Sequence, residues 1–338
     1  MSATAEPPPG DPVPPSRWGL HGDLTFRAMQ AGVRACPWFL EAPLIAGWAA
    51  VVYALACRQR RAINANLRAL LPEIPWLRRQ FLVWRTFYQF GSVTTDSIRC
   101  QQGEDIITWE VEGLEHCQAA EAQDRPVILL TAHMGSYDAA GAFFSQHMGR
   151  KLAAVRRPER HPRLQALREE ALRKLGGGAY HVLYNTRENI LAVDLLRALQ
   201  NREWVALQAD RAVPGLSTMI QEEERTGHRW LLPRGPFMLA AASRALCLPT
   251  FIVRLSQRRY RVIFQPALSA APAGRDRDRA VRHLAGQWMT LFAAMLRRHP
   301  AQWLVFEPAF ETGGATPGDG DGNLPAHPPA PVTANATA

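Results

Sequence analysis

The sequence is organised around a short apolar strand that leads, through a glycine and a serine, into a helix of small residues. Val127–Thr131 is rich in branched residues, which is typical of a buried strand. Ala139–Phe144 is small and apolar and predicts the body of a helix. Gly135 and Ser136 suit a tight turn between them. This strand–turn–helix unit predicts an α/β domain, in which ligands bind beyond the carboxyl ends of the strands.

The turn carries a histidine and an aspartate five residues apart, His133 and Asp138. On one helix, such positions lie roughly 140° apart around the axis, and on one strand they point to opposite faces. If Gly135 bends the chain, His133 lies at the strand's end, Asp138 lies in the first helical turn, and the carboxylate can reach the imidazole. The pair then forms an oriented general base for a hydroxyl. Alternatively, His133 is a capping or core histidine and Asp138 is an acid favoured by the helix macrodipole.

Composition limits the class of partner. The chain has 338 residues, enough for one large α/β domain with an appendage, and its net charge of +9 implies an anionic partner. It has no zinc finger, RNP-type aromatic sequence or basic zipper, so we predict that nucleic acid is not that partner. Its five cysteines are scattered without C-x-x-C spacing, and its histidines have no metal-site spacing. We therefore predict neither a disulfide framework nor a metal site.

The most hydrophobic stretch is Trp38–Cys57, which has about the length needed to cross a bilayer. Glu41 and Pro43 near its start weaken the case for a simple span. Three interpretations stay open: a spanning or half-inserted anchor, a helix lying on the membrane, and a buried helix of a soluble protein. The flanking basic residues are Arg34, Arg58, Arg60 and Arg61. The three arginines that follow the stretch favour a cytoplasmic location for the next domain.

Hydrophobic periodicity predicts the remaining elements. Further strands are expected at Ile107–Val111, Lys151–Val155, Ala179–Tyr184, Trp204–Gln208, Pro249–Leu255 and Arg259–Phe264. Further helices are expected at Arg58–Leu71, Trp76–Arg99, Pro162–Leu175, Arg187–Leu199, Phe237–Leu246 and Arg275–His299. The polar stretch Ser217–His228 is interpreted as an excursion or lid.

Charged residues follow two of these strands and precede one helix. Asp210, just after Trp204–Gln208, either orients a partner or only caps the next helix. Arg157 either binds a phosphate or lies on a solvated face, and Arg234 is either a phosphate contact or structural. Gly235 would form a turn before a helix. The predicted substrate-binding residues are Arg156, Arg157, Asp210, Arg234 and Gly235.

Several landmarks in order resemble the bacterial lipid A biosynthesis acyltransferases, the late lauroyl and myristoyl transferases with lysophospholipid-acyltransferase-like relatives. The landmarks are the hydrophobic N-terminal segment, Arg60–Leu67 (RRAINANL), His133–Asp138, Arg156–Pro158, Gln208–Asp210, Arg234–Pro236 and Pro300–Trp303. The resemblance extends roughly from residue 17 to residue 310. The family often has an aromatic-Phe-Gly element where this chain has Thr226–Trp230, and the lipid A enzymes often carry glutamate where it has Asp138.

The resemblance implies an O-acyltransferase that moves a fatty acyl chain from acyl carrier protein or coenzyme A to a hydroxyl of a lipid or glycolipid. The thioester is a co-substrate, and no cofactor is expected. Other implied partners are the lipid acceptor and an anionic membrane, at the cytoplasmic side of a bacterial inner membrane. Alternatives are another acceptor (an aminolipid, a lysophospholipid or a pigment head group), a non-catalytic lipid-binding or acyl-carrier-binding relative, and a thioesterase.

The implied fold is a mixed central sheet flanked by helices, with an N-terminal hydrophobic anchor helix. We expect a disordered tail at residues 1–16, a membrane-associating segment at 17–58, the acyltransferase domain at 59–310 and a second disordered tail at 311–338. In this scheme His133 and Asp138 are catalytic.

Overall fold

A computed structural model describes residues 23–156, 158, 165–166, 169–170, 179–184, 191–212, 217–223, 225–269 and 276–311. Its helices are α1 (Asp23–Ala35), α2 (Trp38–Leu55), α3 (Cys57–Leu70), α4 (Trp76–Gln101), α5 (Leu114–Glu121), α6 (Tyr137–Met148), α7 (Leu191–Gln200), α8 (Gly235–Ser243) and α9 (Arg277–Arg298), followed by a 3₁₀ turn at Pro300–Gln302. Its strands are β1 (Thr108–Glu112), β2 (Val127–Thr131), β3 (Leu152–Arg156), β4 (Tyr180–Tyr184), β5 (Trp204–Gln208), β6 (Thr218–Glu222), β7 (Arg229–Pro233), β8 (Leu246–Ser256) and β9 (Arg259–Phe264).

Seven strands form one mixed sheet in the order β1-β9-β8-β2-β5-β3-β4. The strands β8, β2, β5, β3 and β4 are mutually parallel, whereas β9 runs antiparallel to β8 and parallel to β1. This architecture confirms the predicted α/β fold with a mixed central sheet flanked by helices. The parallel part brings the carboxyl ends of five strands to one edge, where α/β proteins bind their ligands.

The strand β2 lies at the centre of the sheet and is buried on both faces. Ile128 and Leu130 belong to one core cluster, which includes residues of α8 and α9. Val127 and Leu129 belong to the opposite cluster, which includes residues of α5 and α6. Because helices cover both faces, the strand consists only of apolar residues up to Thr131, without an alternating pattern.

The predicted excursion or lid, Ser217–His228, contains β6, which pairs with β7 in an antiparallel hairpin separate from the central sheet. One predicted boundary needs correction. The helix predicted at Phe237–Leu246 ends at Ser243, and Leu246 already begins β8. Most of the helix predicted at Pro162–Leu175 lies outside the described residues. Both predicted tails also lie outside them, except Glu311, so the domain boundaries stay predictions.

The N-terminal helices form a layer of their own beside the sheet domain. The helix α2 packs along α4, and α3 contacts both. Among the described residues, Trp38–Leu55 is the helix that is long and apolar enough to cross a bilayer. This helix coincides with the hydrophobic stretch that the sequence analysis singled out, and it ends two residues earlier because α3 begins at Cys57.

Candidate active site

The site lies where two neighbouring parallel strands end. The strands β2 and β5 pair in register from Ile128 and Val205 to Thr131 and Gln208. The chain continues from β2 to His133 and from β5 to Asp210, so the sheet brings together two side chains that are 77 residues apart in sequence.

Asp210 binds His133 through two contacts. The carboxylate Oδ1 lies 2.8 Å from Nδ1 of the His133 ring, and Oδ2 accepts a hydrogen bond of 2.9 Å from the His133 backbone N–H. The indole N–H of Trp303 donates a second hydrogen bond of 2.9 Å to Oδ2. Asp210 is fully buried, whereas the His133 side chain is 17% exposed. An ionised Asp210 therefore holds the proton of the ring on Nδ1 and leaves Nε2 to act as the base.

The surroundings of Asp210 favour its ionised form. Burial alone would raise the pKa of this carboxyl. The charge of His133 and the hydrogen bonds from His133 and Trp303 outweigh burial and hold the pKa of Asp210 below its ordinary value. The carboxylate is thus ready to stabilise an imidazolium that forms when His133 takes up a proton.

The C-terminal segment of the chain fixes both partners from the other side. The backbone N–H of Leu304 donates to the His133 carbonyl at 2.8 Å, and Met134 forms a bridge with Trp303. The indole N–H of Trp288, on α9, donates to the carbonyl of Ala209 at 2.9 Å. The turn after β2 and the turn after β5 are therefore held by groups from distant parts of the chain.

Gly135 allows the chain to turn between His133 and α6. Its φ is +56°, and a Cβ at this position would lie 2.5 Å from the backbone oxygen of Ile252. A side chain would meet both a strained backbone conformation and a steric clash with β8. The predicted turn at Gly135 is therefore present, and only glycine fits it.

We expect Gly135→Ala to destabilise the protein by more than the roughly 1–2 kcal/mol of a left-handed backbone conformation alone, because the clash adds to it. Gly149→Ala is the matched control, since Gly149 has a φ of +62° and a Cβ added there would have nothing within 4 Å. Urea unfolding of both variants measures the difference in the free energy of unfolding. Equal losses would mean that the contact with Ile252 is unimportant.

A cavity of about 960 Å³ opens beside the His133 ring. It extends along the carboxyl edge of the sheet and beneath α6, and most of its lining is aliphatic or aromatic. Lining residues of this kind include Leu129, Ala140, Phe144, Leu195, Leu239 and Ile252. Two arginines, Arg156 and Arg211, also line it. The cavity has the size and chemistry for an acyl chain, with cationic groups for an anionic head.

The structure describes four of the predicted site residues besides His133. Arg156, at the end of β3, and Gly235 line the cavity. Arg234 lies just before α8 and pairs with Asp278 at 2.6 Å. Asp210, predicted to bind substrate, is instead fully buried against His133. This contact favours the alternative in which Asp210 orients a partner, and it arises because β2 and β5 are neighbours in the sheet.

Two predicted residues cannot be assessed in the same way. Asp138 belongs to the first turn of α6, as the spacing predicted, but its side chain lies outside the described part of the protein. Its proposed contact with His133 stays a prediction. Arg157 lies outside the described residues altogether.

The sequence analysis did not predict two features of the site. It did not pair Asp210 with His133, although both follow apolar strands, because strand order cannot be read from a linear pattern. It also gave no role to Trp303, whose indole donates to Asp210. The landmark Pro300–Trp303 was the signal that could have indicated a role for Trp303, because an indole N–H can donate a hydrogen bond to a buried acid.

Comparison with known proteins gives a match to one family. Residues 21–312 match the family model of bacterial lipid A biosynthesis acyltransferases. The match covers most of the chain and includes α2, both residues of the His133–Asp210 pair and Trp303. A search of curated proteins gave no match.

Proposed function

Because the chain belongs to the bacterial lipid A biosynthesis acyltransferase family, we propose that this acyltransferase moves a fatty acyl chain from an acyl-carrier-protein or coenzyme A thioester to a hydroxyl of a lipid A-like lipid or glycolipid. The observation that carries the proposal is the His133–Asp210 pair at the opening of a large apolar cavity. A base beside an acyl-sized cavity is what transfer to an alcohol requires, because an alcohol is a poor nucleophile near neutral pH.

His133 acts first as base and then as acid. Its Nε2 takes the proton of the acceptor hydroxyl as that oxygen attacks the thioester carbonyl and the new C–O bond forms. The imidazolium, stabilised by Asp210 at Nδ1, then gives this proton to the departing sulfur as the C–S bond breaks. The products are an ester and a free thiol, so the step balances without a resident cofactor.

The cavity lining supports a lipid substrate with an anionic head. Arg211 lies one residue after Asp210, and its side chain pairs with Glu307 at 2.8 Å while also lining the cavity. Arg156 lines the cavity on another strand. Guanidinium groups bind phosphates well, so these two arginines are suited to a phosphate of the acceptor or of the donor's pantetheine arm.

We further propose that the enzyme works at the cytoplasmic face of a bacterial inner membrane, with an anionic membrane as a partner. The exposed apolar surface of α2 and the basic residues after it support this location. Residues 17–58 would then form the membrane-associating segment, and residues 59–310 the catalytic domain.

Transfer of labelled acyl chains from acyl carrier protein and from coenzyme A to extracted lipids tests the activity. We expect a labelled ester whose formation requires acceptor lipid. Release of free fatty acid without any acceptor would indicate a thioesterase instead, and lipid binding without turnover would indicate a non-catalytic relative. Mass spectrometry of lipids from a deletion strain would identify the acceptor as the lipid lacking one acyl chain.

A further inference from the structure

The apolar helix α2 is one member of an antiparallel helix pair. It packs along α4 so that its N-terminal end lies at the C-terminal end of α4. Three pairs mark the packing from one end to the other: Glu41 with Arg99, Trp48 with Phe90, and Tyr53 with Gln80. Gly91 of α4 allows this close approach, since a Cβ there would lie 2.9 Å from the Ile45 side chain.

The N-terminal end of α2 is bound to the sheet domain by a buried acid. Glu41 is 4% exposed and accepts hydrogen bonds from Arg99 at 2.6 Å and from Arg258 at 2.9 Å. Gln257 donates to Glu41 at 3.0 Å and to the Trp38 carbonyl at 3.1 Å. Because Gln257 and Arg258 form the turn between β8 and β9, this end of α2 is tied directly to the sheet.

The C-terminal end of α2 is bound to α3 and α4. The helix α3 is bound in turn to the C-terminal segment, because the Asn66 side chain donates to the Glu307 carbonyl at 2.9 Å and accepts from the backbone N–H of Ala309 at 3.0 Å. The Tyr53 hydroxyl donates to the Gln80 side chain at 3.0 Å, and Arg60 donates to the Tyr53 carbonyl at 3.0 Å. Asn64 accepts from both Gln80, at 2.9 Å, and Arg79, at 3.1 Å. If α2 crossed the bilayer alone, one of its ends would lie far from the domain. If it crossed together with α4, the charged residues of α4 would enter the hydrocarbon, which costs free energy.

The remaining surface of α2 is apolar and exposed. Glu41 is the only charged residue in Trp38–Leu55. The large exposed apolar side chains of this helix are Trp38, Phe39, Leu40, Leu44, Trp48, Val51 and Leu55, and those of α4 are Trp76, Leu77, Phe81 and Phe90. Exposed cations lie near them at Arg58, Arg61, Arg78 and Arg85. Apolar residues bordered by arginines match the interface of an anionic bilayer.

We propose that α2 lies flat on an anionic membrane surface, on the same side as the catalytic domain, and does not cross the membrane. This inference rests on the membrane location proposed above, and it specifies how the protein binds there. Both ends of α2 keep the hydrogen bonds described above. The exposed apolar side chains of α2 and of α4 enter the interfacial region of the membrane together. The cavity beside His133 then belongs to a protein held on one leaflet.

Two native cysteines flank α2 and give a direct test. Cys57 is exposed and Cys36 is partly exposed, whereas Cys100, Cys117 and Cys247 are buried, which raises the pKa of each of these three thiols to about 12. Only the flanking pair should react with a membrane-impermeant maleimide in the folded protein. Single variants Cys36→Ser and Cys57→Ser separate the two signals.

We expect both flanking cysteines to be labelled in inverted inner-membrane vesicles and neither in intact spheroplasts. Labelling of the two from opposite sides would overturn the proposal, because it would mean that α2 spans the bilayer. Ala35→Cys in the Cys36→Ser background provides a more exposed reporter at the same end. Cysteine labelling does not depend on acyl transfer. A result against the proposed function and a result against the proposed orientation of α2 are therefore distinguishable.

Vesicle flotation of the purified full chain tests the membrane-facing surface. We expect Leu44→Glu with Val51→Glu to reduce binding to phosphatidylglycerol-containing vesicles by roughly tenfold or more, because two buried apolar side chains are lost from the lipid. Leu114→Glu with Val111→Glu is the matched control, since these residues are also exposed but belong to α5 and β1 and not to the helix pair α2 and α4. Equal binding of both double variants would contradict the proposal, as would self-association of the chain without any vesicle binding.

Discussion

His133→Ala should lower the rate of acyl transfer by about 10²–10⁴, while the protein stays folded. The variant removes the base at the cavity, and no other group that the structure describes occupies the position of Nε2. The His133 side chain is partly exposed, and the backbone bonds of this turn, from Leu304 and to Asp210, do not need the ring. Initial rates of label transfer at saturating donor and acceptor measure the effect.

His116→Ala is the matched control for this experiment. His116 is a partly exposed histidine on α5 and is not among the residues that line the cavity beside His133. We expect this variant to transfer acyl chains at the wild-type rate. Equal transfer by His133→Ala and the wild type would remove His133 from the mechanism, whereas a loss in both variants would point to general instability.

Individual strands and turns were predictable from the sequence, because burial and backbone conformation restrict which residues can form them. The branched run Val127–Thr131 predicted β2 within its observed bounds, and Trp204–Gln208 did the same for β5. Each of these two strands has helices on both sides of the sheet, so burial on both faces leaves a continuous apolar pattern. The turn at Gly135 was also predictable, since a glycine between a strand and a helix permits a positive φ.

The long-range part was not predictable from one sequence. The run Ser217–Glu222 gave no strand signal, because β6 pairs only with β7 in a two-stranded hairpin. No residue of β6 is fully buried, so burial imposes no apolar pattern on it. The contact between His133 and Asp210 depends on β5 lying beside β2, which is a property of strand order. Nearness in sequence therefore suggested Asp138 as the partner, whereas the sheet supplies Asp210.

Asp210→Asn should cause the second large loss, up to about 10⁴ in kcat, as expected when an orienting acid of a histidine base is replaced. In the wild type, Oδ2 accepts from the His133 backbone and from Trp303, and Oδ1 faces Nδ1. The amide of asparagine must keep its oxygen towards the two donors, so its NH₂ group faces Nδ1. The ring then carries its proton on Nε2 and cannot accept one from the acceptor hydroxyl. We expect KM to change little.

Two comparisons distinguish this positioning role from a structural one. Asp210→Ala should be less stable than Asp210→Asn by at least about 1 kcal/mol, because it leaves two buried donors unsatisfied. Wild-type stability should also fall as the pH drops below the ordinary carboxyl value, since the lowered pKa of Asp210 makes its ionised form stabilising above that value. Asp210→Asn should lose the part of this acid dependence that comes from Asp210, whereas Glu110 and Glu223, whose pKa values are also lowered, keep their contributions.

The variant Asp138→Asn tests which of the two acids, Asp138 or Asp210, orients the His133 ring. If Asp210 alone holds Nδ1, Asp138→Asn should retain far more activity than Asp210→Asn under the same assay. The rates of both variants as a function of pH should then separate the two acids, since only loss of the Nδ1 partner changes the tautomer of His133. A larger loss in Asp138→Asn than in Asp210→Asn would contradict the assignment and would make the neighbour in sequence the orienting acid.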